Sequence, residues 1–290
     1  MKTDIRLKKL RTGIRNKSAE RDDAVAAVVA LMLILAVVVT CFAVYTSAYI
    51  PSLKQQSEIS HAEDVQYVFS QFSAEIDSIY ASGEEREYAN PITLGAGNIL
   101  LSPSKSSGTI EIGKEYSDVQ KIQITKTISG IESVIRTVDI NPVSVSYTPS
   151  FTVWEPQGIS YRTGILWLTK NERETPAALK VFSTEEGKQA EKDKVKSWLS
   201  RLPEHVRDDT NLILITVNSN PGKSAITGTG IADLHILTKK PDSFIDAVTL
   251  NTGDTFSFKD MDGNSVREVM ADADGISVSV SLMMVEVSVE

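Results

Sequence analysis

The sequence predicts an α+β protein: a long N-terminal transmembrane and stem helix, then a mostly antiparallel, sandwich-like β ectodomain with one inserted helix. Three observations predict it. Residues 24–50 carry no charge, the apolar pattern keeps a helical period to about residue 81, and from Pro91 the period switches to two. The organisation that follows is a basic leader (1–23), a transmembrane helix (24–50), an amphipathic stem (51–83) and a β-rich domain (90–290).

The span comes first. Its 27 residues, AVAAVVALMLILAVVVTCFAVYTSAYI, exceed the roughly 20 that cross a bilayer as helix. Thr40, Thr46 and Ser47 are its mild polar members, and a helix satisfies such hydroxyls on its own carbonyls. Tyr45 and Tyr49 stand near the far end, where amphipathic rings settle at the lipid–water boundary.

Charge gives the span a direction. Residues 1–23 hold eight basic side chains against four acidic ones, a net of +4. The whole chain is at −8, and −8 less +4 leaves −12 for residues 24–290. Basic flanks stay cytoplasmic, so everything after Pro51 is expected outside. An acidic body of this kind excludes a nucleic-acid partner, which needs clustered Lys and Arg. The single cysteine, Cys41, lies inside the span. No intramolecular disulfide and no thiolate zinc site can therefore form.

Processing signals can imitate a membrane helix. A secretory h-region runs about 7–15 residues before its cleavage site, and this run is far longer. A lipoprotein would need small residues before Cys41, where Val38-Val39-Thr40 stand. A third pattern fits better. Glu20-Arg21-Asp22-Asp23 followed by Ala24-Val25 and an unbroken apolar run resembles the class III signal peptide of archaeal type IV pilins. The resemblance implies a prepilin peptidase as partner, cutting between Asp23 and Ala24. It also implies that the apolar helix stays on the mature chain and packs with other pilin-like subunits. Many such pilins continue Ala-Val-Ser-Pro-Val-Ile-Gly; this chain reads Ala24-Val25-Ala26-Ala27-Val28-Val29-Ala30 and lacks the Ser-Pro and the Gly. Segments such as NPITLGAGN and GISYRTGIL are similar to a group of archaeal pilin-like membrane proteins.

Beyond Pro51 the helical period persists. Val65, Val68 with Phe69, Phe72, Ile76 and Ile79 recur at spacings of three and four, the stripe of an amphipathic helix. A bend is expected at Pro51, where a backbone donor is lost, and a stop at Gly83.

Alternation then takes over. Ile110 and Ile112, Ile122 and Ile124, Val143 with Val145 and Tyr147, and Ala232 with Leu234 and Ile236 read as half-buried strands. At the C-terminus Ile276, Val278, Val280 and Leu282 share one face, then Val285, Val287 and Val289 take the other. An extra residue at Met283–Met284 would do this, so a β-bulge is expected there. Residues 184–202 form the inserted helix, with Val195, Trp198, Leu199 and Leu202 as its apolar stripe and Pro203 beyond it. Ser102–Gly108 reads as a connecting loop. Strands at these intervals without alternating helices indicate antiparallel pairing.

Chemistry is sparse. Asn218–Ser224 ends in Gly-Lys-Ser, but a phosphate loop needs a glycine where Val217 stands and a helix afterwards. A surface turn is the better reading. Gly228-x-Gly230 lacks the third glycine of a dinucleotide loop. His61, His205 and His235 fall in no catalytic motif, and no cofactor is implied. The one metal candidate is calcium at Asp260, Asp262 and Asn264, with Glu268 in support. Oxygens at alternate positions resemble the opening of a calcium loop, though its sixth residue is Ser265 and its twelfth Ala271. The resulting expectation is no enzyme. It is a type IV pilin-like surface or adhesion subunit held by its first helix, or alternatively an anchored envelope binding module that never polymerises.

Overall fold

The computed structural model describes residues 25–97, 99, 102, 104–114, 117–170, 173–177 and 184–290. Contacts divide it into two units, one ending at Lys54 with Ile99–Pro103 added, the other comprising Gln55–Asn98 and Ser104–Glu290. Asp23 and Ala24, the expected cleavage pair, lie outside the described residues.

Helical conformation runs unbroken from Val25 to Ser82. It comprises α1 (25–44), a π turn (Tyr45–Tyr49) and α2 (Ile50–Ser82). The helix continues through Pro51, and the irregularity sits just before it. Ile50 donates its N–H to the Tyr45 carbonyl, one residue further back than in an α-helix. Pro51 has no N–H to give and its ring crowds the preceding turn; one wider turn absorbs both effects. At the far end Gly83 adopts φ +67° and its N–H closes on the Ile79 carbonyl at 2.8 Å. That is the left-handed stop expected of a glycine.

Within the second unit, α2 buries Val65, Phe69, Phe72, Ile76 and Ile79 almost completely. Phe69 holds the core position, while Val68 is only half-buried beside it. The strands of this unit form three sheets. One joins β1 (Glu87–Thr93), β12 (Ile231–Thr238), β16 (Ile276–Val289) and β10 (Thr210–Ser219), with β13 (Asp242–Leu250) also on β16. A second runs β11 (Ala225–Gly228), β2 (Ser107–Lys114), β5 (Val143–Ser150), β6 (Gly158–Arg162), β7 (Ile165–Lys170) and β8 (Arg173–Pro176). The third runs β4 (Ile131–Asp139), β3 (Lys121–Ile128), β14 (Thr255–Lys259), β15 (Ser265–Ala271) and β9 (His205–Val206).

Pairing is mostly antiparallel, with two departures: β10 lies parallel to β16, and β9 parallel to β15. The alternating residues named from sequence all sit in strands with their apolar members inward. The 102–108 loop is shorter than expected, since β2 already begins at Ser107.

The bulge expected at Met283–Met284 is absent. The β10–β16 register runs unbroken from Thr210↔Val278 to Ser219↔Val287. β16 buries one face through Val280 and the opposite face from Met283 onward. β10 makes the same change at the same level, burying Leu212 and Leu214, then Ile215 and Val217. On its other edge β16 exchanges β13 for β12 at that level. The slip in the hydrophobic pattern therefore records a change in which face is covered, with no inserted residue.

The inserted helix α3 (Thr184–Leu199) ends three residues before the predicted limit, with Leu202 buried just after it. Trp198 stacks on Tyr80 of α2, with ring centroids 4.1 Å apart and planes 7° from parallel. Gly187 allows α3 to approach the sheet, because a Cβ there would clash with the edge of the Trp167 ring. Replacement Gly187→Ala is therefore expected to destabilise the fold by about 1–3 kcal/mol, the usual cost of overpacking. A lower thermal midpoint of the full chain in detergent, followed by circular dichroism, checks this.

Candidate membrane-spanning helix and the clamp on its extension

Every residue of α1 is exposed, including Leu31, Met32, Leu33, Ile34 and Leu35. Its 20 residues rise about 30 Å, the thickness of a bilayer's hydrocarbon core. The helix keeps its own polar groups paired, as hydrocarbon requires. Thr40 donates to the Ala36 carbonyl at 2.7 Å, and Thr46 donates to Phe42 at 3.0 Å and Ala43 at 3.1 Å. Tyr45 and Tyr49 lie together, ring centroids 5.4 Å apart. This is one helix long and apolar enough to cross a membrane. Cys41 is exposed on it as a free thiol.

The part of α2 in the second unit is built on the opposite principle. The spacing that buries Val65, Phe69 and Phe72 also brings Glu58 and His61 onto the buried face, 1% and 6% exposed. Both are paired. The Glu58 carboxylate accepts five hydrogen bonds: from Ser106 Oγ (2.6 Å), Thr152 N (2.7 Å), Thr152 Oγ1 (2.9 Å), Val153 N (3.1 Å) and Trp154 N (2.8 Å). Burial alone would push its pKa up. The hydrogen bonds from Ser106, Thr152 and Trp154 outweigh burial and hold it at about 2, against an ordinary 4.5.

His61 Nε2 lies 2.8 Å from the Tyr147 hydroxyl, which donates to the Leu94 carbonyl at 2.8 Å. With that one proton committed, the imidazole is the donor of the pair. Further along α2, Asp77 accepts from Trp198 Nε1 at 2.8 Å and from Lys194 at 2.5 Å. Tyr80 donates to the Ile140 carbonyl at 2.7 Å. These contacts tie α2 to β5, the loop after it, and α3.

Three of the four residues nominated for metal, Asp260, Asp262 and Asn264, fall into a turn between β14 and β15. Asp260 accepts from the Asn264 backbone N–H (2.8 Å) and side-chain amide (3.1 Å), while Asp262 pairs with Lys192 at 3.1 Å. Glu268 is on β15 opposite Ser257. Among the described residues, no three His, Cys, Asp or Glu side chains gather as a metal site. In the Asn218–Ser224 segment Asn218 and Ser219 end β10 and a turn follows, with Asn220 Oδ1 accepting from Gly222 N at 3.0 Å. His205 and Asp272 meet at 2.9 Å on the surface with Arg207 beside them, and the hydrogen bond with His205 is the main cause that holds Asp272 below its usual range. His235 lies in β12.

Comparison with protein-family models, with curated proteins and with solved structures finds no match.

The Glu58 clamp escaped sequence reading although its signal was present. Counting back from Val65 by four and then three reaches His61 and Glu58, so two polar residues stand in phase with the core stripe. Because the folded carboxyl is held below its unfolded value, its contribution is complete above about pH 4.5 and is lost as pH falls toward 2. The full amount is about 3 kcal/mol. Replacement Glu58→Gln should lower stability at neutral pH and flatten that part of the acid limb. Chemical denaturation at several pH values, wild type against variant, reads both effects.

Proposed function

We propose that this is a type IV pilin-like surface subunit, held in the membrane by residues 24–50 with its β domain outside the cell. The observation that carries the proposal is the exposure of all 20 residues of α1 in a run without charge. Apolar surface on that scale needs a lipid or helical environment. The basic flank of residues 1–23 supports an N-terminus in the cytoplasm. The Glu20–Val25 pattern supports removal of that flank by a prepilin peptidase.

The cut has a clear physical consequence. With the leader present, eight basic side chains hold the N-terminus at the inner face. Without it, a helix of small and branched apolar residues is free to leave lipid sideways and pack with similar helices. The β domain then serves as the head, directed at surfaces or partner subunits. Its size favours a minor or tip subunit over a bulk building block.

Intact-mass measurement of the protein from its native membrane tests the reading. A chain beginning at Ala24 is expected. A chain still carrying Met1 or Lys2 contradicts the pilin reading and leaves a non-polymerising anchored binding module.

A further inference from the structure

We propose that the cleft between α2 and the loop after β5 is a saccharide-binding site. This inference is independent of how the N-terminus is processed. It begins from Glu58, which spends four of its five hydrogen bonds on Thr152, Val153 and Trp154. A buried carboxylate committed in this way fixes the backbone of one short loop. Fixing a loop before a ligand arrives removes an ordering cost from binding.

The loop places Trp154 at the wall of a cavity of about 260 Å³. Trp154 is half-buried and its ring lies 5.9 Å from that of Phe151. Tyr147 and Leu168 add apolar lining, and Glu63, Gln66 and Gln157 add polar groups. None of these three polar side chains makes a hydrogen bond or ion pair among the described residues. Each keeps its full set of donors and acceptors for a ligand.

This combination selects a ligand class. A lipid tail would leave the two amides and the carboxylate unpaired, at a cost. An anion would face Glu63 with no cation in the lining. A metal ion would find one carboxylate. A neutral pyranose has an apolar C–H face to lay on an indole and a rim of hydroxyls that both donate and accept. The cavity volume suits one or two sugar rings more than a larger ligand.

Intrinsic fluorescence provides the test, because Trp167 and Trp198 are only 1% and 6% exposed and Trp154 is the responsive indole. Full-length protein in detergent is titrated with short oligomers of glucose, galactose, mannose and N-acetylglucosamine, and separately with indole. A saturable emission change with at least one sugar is expected. It should vanish in Trp154→Ala, with the circular dichroism melt confirming the fold, and binding should weaken about tenfold in Gln157→Ala, the loss of one good hydrogen bond. The proposal is overturned by no saturable change with any of the sugars, by a change that persists in Trp154→Ala, or by saturation with indole alone.

Discussion

The apolar surface of α1 must be covered by something other than this chain's own folded core. Twenty consecutive exposed residues with no charge would cost on the order of tens of kcal/mol in water, at about 25 cal/mol per Å². Hydrocarbon removes that cost and imposes a second demand, that no backbone or hydroxyl group go unpaired. An uninterrupted helix whose threonines bond back to their own carbonyls meets both demands. The position of Pro51 is consistent with the same logic. The irregular turn it provokes falls at Tyr45–Tyr49, at the far end of the uncharged stretch and among residues suited to an interface.

Past Gln55 the same helix contributes its apolar stripe to the core of a β domain. Its buried face carries aromatic and branched side chains in one half and paired polar groups at the start. Apolar burial supplies the bulk of the stability, while Glu58, His61, Asp77 and Tyr80 each fix a particular neighbour. A buried carboxylate is tolerable only when its hydrogen-bonding capacity is filled, and five donors fill that of Glu58. This division lets a single helix be apolar enough to cross a membrane at one end and carry the buried stripe of a β domain at the other.

Much of this was legible in the sequence because period and charge are local signals. The long apolar N-terminal helix, the Gly83 stop, the α2 stripe and the inward residues of β2, β3, β5 and β12 could be read directly. Three features could not. The phase slip in β16 is the same whether produced by a bulge or by a change of covered face; only its pairing with β10, more than 60 residues away in sequence, distinguishes them. The parallel arrangement of β10 with β16, and of β9 with β15, likewise depends on partners far apart in the chain. For the clamp, the donors to Glu58 lie nearly 50 and nearly 100 positions away in the chain. The acidic 260–265 segment shows the converse: side chains spaced like ligands whose oxygens are engaged by Asn264 and Lys192.

Alkaline carbonate extraction of native membranes addresses the central claim most directly, since it strips proteins held by charge and leaves those held in hydrocarbon. The account predicts that the full-length chain stays in the membrane pellet and is released only by detergent. Recovery of the intact chain in the carbonate supernatant would contradict it.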